Sequence, residues 1–449
     1  MSSLIEKKAI VIGAGMGGLA AAKALSNHLG RVTVLDRDTL PSQAEPRIGT
    51  AQSKHTHVLI GGGLKALSVL FSGFEEDVHR AGAVKMRVGL EACMERPGYD
   101  PFPARDLGFD IYSASRPLFE LVTRRRIEQQ ENIELLPKSR VTKLIASQDE
   151  SAVTGVRWES ADGQAHTLHA DIIVDASGRG TLTLELLDAQ GLPRPEETEI
   201  GIDQAYSTVI FERPATAPPN WKSMIVLPSA PTSSRGGFLF PIEDNQWIVS
   251  VGGNHGDAPP GDLAGLLEYL KSLRTPTIYG AVKGAKPVGE VARFVLPSSV
   301  RRHFEKIQKF PRGLLVVGDG LCRFNPVFGQ GMSVAAQEAL VLDRLLATIA
   351  GGPDALGDLA LSFFAACQDV IETPWAIAMS DFVYPKTRGQ RPPDLGQRIQ
   401  YGIALTRLAS EDAAVHKLTV EVNHLLKPQS ALREPELAKR VMERMMAAV

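Results

Sequence analysis

Residues 9–36 decide the fold, and they read AIVIGAGMGGLAAAKALSNHLGRVTVLD. The opening apolar run predicts a short buried strand, the alanine-rich segment predicts a helix, and RVTVLD predicts a second strand. Gly13, Gly15 and Gly18 lie between the first strand and the helix in the spacing G-x-G-x-x-G. Glycines at these positions allow a tight turn, close approach of backbone to a pyrophosphate, and close packing of helix on strand. The stretch therefore predicts a strand–helix–strand unit that binds a dinucleotide.

An acidic residue completes this pattern at the end of the second strand. Asp36 lies 23 positions after Gly13, where a carboxylate can accept hydrogen bonds from ribose hydroxyls. Arg37 follows it directly and is a further candidate for contact with the nucleotide. The N-terminus of the helix adds unpaired N–H groups and a partial positive charge for the phosphates. This unit alone fits both NAD and FAD.

Length and composition set the class of protein. The 449 residues suffice for two or three domains, and 44% hydrophobic and 22% charged residues are typical of an ordinary globular protein. The net charge of −2 indicates no nucleic-acid partner. Three widely spaced cysteines predict reduced thiols in a cytoplasmic protein and no zinc site. We expect no secretory signal and no transmembrane segment, which leaves peripheral membrane contact open.

Further short motifs follow in a specific order. Ser115-Arg116 precedes a strong helix pattern, and Asp175-Ala-Ser-Gly178 follows a buried-strand pattern. Residues 316–335 read VVGDGLCRFNPVFGQGMSVA, with Gly318-Asp319 ahead of Pro326 and Gly329-Gln-Gly-Met332. Together with the first glycine motif, these segments resemble the class A flavoprotein monooxygenases. That family has the para-hydroxybenzoate hydroxylase fold and includes squalene epoxidase-like and polyene epoxidases. The resemblance covers about residues 8–350 and implies that the dinucleotide is FAD.

The motif residues then have coherent roles toward FAD. Asp319 can accept from a ribityl hydroxyl, and Arg116 can contact pyrophosphate oxygens as a bidentate cation. Gly329, Gly331 and the helix that begins near Met332 can aim N–H groups at the pyrimidine edge of the flavin, where the positive helix end stabilises the anionic reduced ring. The resemblance adds Asp175 and backbone contacts from Val141 beside the adenine. Taken singly, Arg116 is also typical of a surface residue, Asp175 of a turn and Asp319 of a helix cap.

The resemblance also implies a reaction. One oxygen atom from O2 would be inserted, through a flavin hydroperoxide, into a largely apolar or aromatic small molecule by epoxidation or hydroxylation. Electrons would come from NAD(P)H or from a separate reductase, because no second nucleotide fingerprint occurs in the sequence. The first alternative is a flavin-dependent reductase or dehydrogenase of prenyl-like substrates, and the second is a non-catalytic FAD-binding redox sensor. Absence of the W-x-W-x-I-P motif counts against halogenation.

Candidates for contact with the substrate lie in the second half of the chain. Phe238, Phe240 and Trp247 belong to a strand pattern that would face the substrate, and Pro326 lies in the flavin segment. Each of the aromatic residues is equally typical of a sheet core. The segment 292–299, ARFVLPSS, resembles squalene epoxidase-like members and favours an apolar substrate.

The loop after the second strand holds the catalytic candidates. Arg47, His55 and His57 would lie near the flavin, and either histidine is about equally typical of ordinary loop hydrogen bonding. A metal at the two histidines is not expected without a third ligand. The sequence identifies no catalytic acid or base.

The predicted fold class is α/β, α+β overall, with a Rossmann-like FAD domain interrupted by a substrate domain. We expect the FAD domain over residues 1–82, 107–182 and 296–352, and the substrate domain, with an antiparallel sheet, over 83–106 and 183–295. Residues 353–449 would form a helical region, broken by Pro374, Pro385 and the Pro392-Pro393 pair. That region could cover the substrate cavity, support a dimer or contact a membrane.

Overall fold

The computed structural model describes residues 4–218, 220–349 and 356–446 of the chain. The strands within these ranges are β1 Lys8–Ile12, β2 Arg31–Leu35, β3 Val58–Leu59, β4 Val84–Arg87, β5 Ala92–Glu95, β6 Asp110–Ser113, β7 Ile133–Leu136, β8 Arg140–Ala146, β9 Val153–Glu159, β10 Ala165–His169, β11 Ile172–Asp175, β12 Glu197–Glu212, β13 Ser223–Val226, β14 Gly236–Ile242, β15 Gln246–Gly253, β16 Pro287–Arg302, β17 Leu314–Val316 and β18 Cys322–Arg323. The helices are α1 Met16–Ser26, α2 Gly61–Leu70, α3 Phe74–Arg80, α4 Arg116–Glu128, α5 Thr181–Ala189, α6 Leu263–Lys271, α7 Thr277–Val282, α8 Gly331–Thr348, α9 Leu359–Ala378, α10 Leu395–Glu411, α11 Ala413–Asn423 and α12 Pro435–Met446.

A parallel sheet brings the sequence motifs together at one edge. Its strands follow the order β17-β11-β1-β2-β7, and all neighbouring pairs in it are parallel. Ile12 at the end of β1 pairs with both Leu35 and Asp175, and Asp175 in turn pairs with Val316. Because these strands end at the same edge, the turns that follow β1, β2, β11 and β17 meet there. The predicted α/β fold class with a Rossmann-like sheet is confirmed.

A larger sheet forms the second layer. Its order is β18-β16-β12-β15-β14-β13-β5, and only the pair of β13 with β5 is parallel within the described residues. The long strands β12 and β16 pair with each other along most of their length. Helices α6 and α7 pack behind this sheet, with Leu266, Leu270 and Ile278 in a shared apolar core. The antiparallel sheet expected for the substrate domain is therefore present.

Two small sheets complete the strands, in the orders β10-β9-β8 and β3-β6-β4. The hairpin of β9 with β10 was expected from the turn at Asp162-Gly163, and the two strands pair antiparallel. The domain limits themselves remain a prediction, and the one proposed between residues 295 and 296 falls inside β16.

The C-terminal part of the described chain is helical, as expected, but Pro374 does not break it. Helix α9 continues through Pro374 to Ala378. A proline in a helix removes one hydrogen bond and strains the preceding turn. Here apolar side chains on both sides of it, among them Phe363 and Trp375, are buried and hold the helix in place. Pro385, Pro392 and Pro393 lie between α9 and α10, where the chain does leave the helix.

Helix α8 agrees closely with the expected segment 332–350. It runs from Gly331 to Thr348, and Ala350 lies outside the described residues. It packs against α1, α2 and α9, so its N-terminus is held at the same sheet edge as the glycine turn. This packing sets the position of the backbone N–H groups at the start of α8.

Candidate functional site

The turn between β1 and α1 shows why its glycines are needed. Gly13 has a φ of +103°, and a Cβ on Gly18 would lie 1.9 Å from the carbonyl oxygen of Gly13. A Cβ on Gly13 would lie 2.6 Å from the carbonyl oxygen of Ala176, so the turn also touches the segment after β11. Gly15 differs, because a Cβ there would meet only Arg116 Nη2, at 3.8 Å. The turn is thus packed against protein at Gly13 and Gly18 and open toward a cavity at Gly15.

Asp36 and Arg47 form the centre of a buried charge cluster beside this turn. Asp36 accepts a hydrogen bond of 2.6 Å from the backbone N–H of Ala14. The Arg47 guanidinium donates to Asp36 and Asp38, each at 3.1 Å, and to Glu120 at 2.6 Å. Burial lowers the pKa of Arg47, but the hydrogen bond to Glu120 and the charges of the three carboxylates raise it overall. Arg47 is therefore a permanent cation whose hydrogen bonds lie at the Asp36 end of the site, whereas Arg37 is exposed at the cavity wall.

Arg116 lies at the first position of α4, after the N-cap residue Ser115, whose hydroxyl accepts from the N–H of Leu118 at 3.2 Å. Its Nη2 is 3.5 Å from Glu120, and its Nε is buried with no hydrogen-bond partner among the described residues. Burial lowers the pKa of Arg116, and the charge of Glu120 opposes this. A buried guanidinium with an unpaired N–H beside Gly15 has a donor left over for a ligand.

Asp175 has a different environment from the one expected. One carboxylate oxygen accepts from the N–H and the hydroxyl of Ser177, at 3.1 and 2.5 Å. The other accepts from the N–H and the hydroxyl of Thr183, at 3.3 and 2.7 Å. Both oxygens are thus engaged within the protein, and they hold the turn after β11 against the start of α5. Ala176, Ser177 and Gly178 line the cavity, whereas Asp175 does not.

The segment after β17 carries Asp319 in a short 3-10 turn, Gly318–Gly320. Asp319 lines the cavity and is exposed to it. Desolvation by the surrounding protein raises the pKa of its carboxyl, and the charges of Arg323, Arg116 and Arg302 oppose this shift. Pro326 lies in the following 3-10 turn, Pro326–Phe328. Gly329 has a φ of +66° and ends this turn, two residues before α8 begins at Gly331.

The N-terminus of α8 also opens onto the cavity. Gly329, Gly331 and Met332 all line it, and a Cβ on Gly331 would meet nothing within 4 Å. Val141 in β8 lines the same cavity as the glycine turn. The structure therefore gathers the motif residues around one space, except Gly18, Ser115 and Asp175, which do not line it.

The two histidines of the loop after β2 are neutral at pH 7. His55 is buried, shares a 2.8 Å hydrogen bond with Thr208 and lies edge-on to Tyr206. Burial lowers the pKa of His55 to about 4 and that of His57 to about 3, and the neighbouring Arg116 contributes to the shift of His57. His57 lines the cavity, whereas His55 holds the loop on β12. Within the described ranges, no cluster of His, Cys, Asp or Glu could hold a metal ion.

The aromatic candidates separate to the two faces of the large sheet. Phe238 and Phe240 line the cavity, whereas Trp247 does not. Trp247 is 1% exposed and stacks on Trp221 at a ring distance of 6.2 Å in the core beneath α6. Alternate residues of a strand face opposite sides, so Trp247 points away from the face that holds its neighbour Ile248. The expectation that Trp247 faces the substrate is wrong, and its other interpretation, a sheet-core residue, is correct.

The cavity itself has a volume of about 2850 Å³. This exceeds the roughly 300–1000 Å³ of an ordinary ligand pocket. It runs from the glycine turn, past Phe238 and Phe240, to residues of α10, α11 and α12. A dinucleotide and a second molecule therefore fit in it together.

A group that sequence reasoning missed lies in the same cavity. Asp381, in the 3-10 turn that follows α9, accepts a 3.0 Å hydrogen bond from the side-chain amide of Asn325. Burial raises the pKa of Asp381 to about 6, against the effect of that hydrogen bond. Tyr384 lines the cavity beside it. The only signal in the sequence is that Asn325 directly precedes Pro326 of the flavin segment, and nothing local points to Asp381.

Comparison with known proteins decides the family. The family model described as "FAD binding domain" matches residues 6–372. The chain belongs to this FAD-binding family. Its relatives include Protein Rv3254 of Mycobacterium tuberculosis, which is 31% identical over 75% of this chain and 72% of the relative. Squalene monooxygenase 1,1 of Brassica napus is 23% identical over 79% of this chain and 66% of the relative.

A solved structure gives the same fold. The crystal structure of PqsL from Pseudomonas aeruginosa in complex with 2-aminobenzoylacetate is 16% identical, with a TM-score of 0.61, and covers 84% of this chain and 98% of its own. These similarities fit the expected resemblance to the class A FAD monooxygenases, and membership of the FAD-binding family identifies the protein as an FAD-dependent oxidoreductase. Among the helices that the structure describes, none has the length and apolar character needed to cross a membrane.

Proposed function

We propose that this protein is a monooxygenase that inserts one oxygen atom from O2 into a largely apolar small molecule. The observation that carries the proposal is the continuity of one cavity from the glycine turn and Asp319 to an apolar wall at Phe238 and Phe240. Such a wall excludes water from the reacting atoms, which oxygen transfer from a flavin requires. Family membership supports a flavin-dependent oxidative enzyme and leaves the reaction and substrate to this proposal.

The residues around the cavity fit FAD. At the adenosine end, Asp36 would accept from ribose hydroxyls, Arg37 would contact the nucleotide and the backbone of Val141 would lie beside the adenine. Gly15, the start of α1 and the unpaired N–H of Arg116 would hold the pyrophosphate. The open space at Gly15 and the orphaned donor of Arg116 are the features that a bound pyrophosphate would explain.

The flavin end would be held by a second set of residues. Asp319 faces the cavity as an acceptor for a ribityl hydroxyl, and the backbone N–H groups from Gly329 to Met332 would meet the ring edge. Bound FAD supplies the redox chemistry with O2. Asp175 and Gly18 would act only by shaping the turns, because both are engaged with protein.

The loop residues Arg47, His55 and His57 would have roles other than catalysis. Arg47 would hold Asp36, Asp38 and Glu120 at the nucleotide end, since its donors are directed there. His57 would line the flavin region as a neutral side chain, and His55 would anchor the loop. Electrons would come from NAD(P)H bound transiently or from a separate reductase.

Rapid mixing of the reduced, FAD-loaded protein with O2 tests the proposal. A monooxygenase gives a transient absorbance that differs from both reduced and oxidised flavin before the oxidised spectrum returns. A direct return to oxidised flavin, with every candidate substrate, would favour the reductase or dehydrogenase alternative. Preparations without bound flavin would contradict the assignment of the cavity.

A further inference from the structure

We propose that Asp381 and Asn325 form the site that binds a hydroxyl group of the substrate and accepts its proton, so that the substrate is a hydroxylated aromatic molecule. This inference rests on the proposed monooxygenase function and deepens it, because an alkene has no proton for such a site to accept. Asp381 would be the catalytic base, and it lies C-terminal to all the motifs that the sequence suggested for FAD.

The geometry of the pair is fixed from both sides. The side-chain oxygen of Asn325 accepts from the backbone N–H of Val327 at 3.2 Å, which leaves its amide N–H₂ to donate to Asp381 Oδ2 at 3.0 Å. No hydrogen bond to Asp381 Oδ1 occurs among the described residues, this oxygen is not among their fully buried unpaired atoms, and Asp381 is one of the residues that line the cavity. One oxygen is therefore held by the protein, and the other is available to a ligand.

The turn that carries Asp381 is anchored to the large sheet. Thr387 Oγ1 donates to the backbone carbonyl of Asp381 at 2.7 Å and lies 3.2 Å from His255 Nε2. The Arg391 guanidinium donates to the carbonyls of Phe382 and Tyr384 at 2.5 and 2.9 Å. The carboxyl is thus presented by a fixed turn, as a reacting group must be.

The surroundings allow Asp381 to exchange a proton near neutral pH. Burial raises the pKa of the carboxyl to about 6, so it is mainly ionised at pH 7. Tyr384 lies close to it, and burial together with the charge of Asp381 raises the pKa of this phenol well above its usual value, which keeps it neutral. Among the other charged groups nearby, His255 and Arg391 are directed at Thr387 and at backbone carbonyls. Asp203 of β12 pairs with Arg388, and at the start of α10 Asp394 pairs with Arg398 at 2.7 Å.

The proton balance is simple. Ionised Asp381 accepts the proton of a substrate O–H and becomes a carboxylic acid, while the electron pair stays on the substrate oxygen. A phenol has a pKa near 10, well above that of Asp381, so transfer is completed only as the ring carbon is attacked. The electron pair left on the substrate oxygen forms a C=O bond as the ring carbon bonds to the transferred oxygen atom. Loss of the proton from that ring carbon to solvent then restores the aromatic ring, and Asp381 returns its proton to the substrate oxygen.

Equilibrium binding to the oxidised, FAD-loaded full chain tests this. The probes are 1-naphthol and its methyl ether 1-methoxynaphthalene, and binding is followed by the change in flavin absorbance. We expect the wild-type protein to prefer 1-naphthol by roughly 10- to 100-fold, the range for a hydrogen bond to a charged acceptor. Asp381→Asn keeps the partner for Asn325 and should abolish the preference, while Asp381→Glu should retain part of it.

Asp369→Asn, on the exposed face of α9, is the matched control and should bind both probes as the wild type does. Flavin content and melting temperature show whether each variant is folded. The wild-type preference itself should grow as the pH rises through about 6, where Asp381 ionises, and this measurement needs no variant.

Equal affinity for both probes, no saturable binding of 1-naphthol, or an unchanged preference in Asp381→Asn would each overturn the proposal. No O2 or reductant is present in this experiment. A failure of oxygen transfer in the rapid-mixing test is therefore distinguishable from a failure here.

Discussion

Glu338 accepts a hydrogen bond of 2.6 Å from the backbone N–H of Gly318, which ties the middle of α8 to the turn that carries Asp319. The side chain of Glu338 is fully buried, and its second oxygen has no hydrogen-bond partner in the part of the chain that the structure describes. Desolvation raises its pKa to about 8, the Gly318 N–H opposes the shift, and the charge of Asp319 adds to it. Glu338 is therefore mainly protonated at neutral pH.

The raised pKa of Glu338 predicts how stability depends on pH. Between the unfolded pKa, about 4.5, and about 8, the folded state binds more protons than the unfolded state. The free energy of unfolding should therefore fall as the pH rises through this window. Glu338→Gln, which cannot ionise, should flatten that fall. Melting temperatures of both proteins between pH 5 and 9 measure the effect.

Glu185→Gln is the control for this series, because Glu185 is exposed on α5. It should leave the slope of melting temperature against pH as it is in the wild type. An unchanged slope in Glu338→Gln would show that Glu338 does not retain its proton in the folded protein.

The open position of Gly15 predicts a variant that separates cofactor binding from folding. A methyl group added there meets protein only at 3.8 Å, so Gly15→Ala should lower the melting temperature of the cofactor-free protein only slightly. The same methyl would fill space that we assign to the pyrophosphate, so FAD affinity should fall at least about tenfold, or roughly 1.4 kcal/mol. Fluorescence titration with FAD gives the affinity, and thermal unfolding gives the stability.

Gly18→Ala is the matched contrast. Its methyl would lie 1.9 Å from the Gly13 carbonyl oxygen, so this variant should lose stability even without FAD. Equal FAD affinity in Gly15→Ala and the wild type would place the pyrophosphate elsewhere.

Arg116 should contribute to FAD binding through the N–H groups of its guanidinium, which can donate two parallel hydrogen bonds to a phosphate. We expect Arg116→Gln to weaken FAD binding by roughly 10- to 100-fold, since a hydrogen bond to a charged group contributes about 1.5–3 kcal/mol. Arg116→Lys should recover only part of the loss, because an ammonium cannot donate in bidentate geometry. Dissociation constants of the two variants measure this, and Arg125→Gln on the exposed side of the same helix should bind FAD normally.

Arg47 should act mainly on stability. Arg47→Met leaves Asp36, Asp38 and Glu120 buried without their shared cation, which should cost about 3–5 kcal/mol of the free energy of unfolding. Denaturant unfolding of the cofactor-free protein provides the measurement. Arg37→Met, at an exposed position, should change stability by less than about 0.5 kcal/mol. Similar stability of the two variants would mean that the charge cluster contributes little to folding.

The residues that local rules govern could be predicted from the sequence. The steric demands of Gly13 and Gly18, the apolar runs of β1 and β2, and the hairpin of β9 with β10 depend on neighbours a few positions away. The order of the motifs then predicted that their turns meet, because parallel strands bring the turns that follow them to one edge. The family was predicted from the resemblance of those motifs to the class A flavoprotein monooxygenases.

Only the tertiary structure decided which way several of these residues face. Period two along β15 separates Trp247 from Ile248, but the position of α6 behind the sheet determines that Trp247 is in the core. Likewise, the Thr183 hydroxyl donates a hydrogen bond to the Asp175 carboxylate, and Arg47 donates one to Glu120 at the Asp36 end of the cavity. These partners are set by packing between segments that local sequence patterns do not relate.

The hydrogen bond between Asn325 and Asp381 could not be predicted from local sequence patterns either. The two residues are 56 positions apart in the chain, and they meet because α9 turns back beside the flavin segment. The sequence by itself determined the fold class, since this follows from local sterics and strand order, and its motifs, through their resemblance to a family, indicated FAD as the cofactor. The tertiary structure alone decided that Asp381 lines the cavity, because that depends on how α9 and its following turn pack beside the segment that carries Asn325.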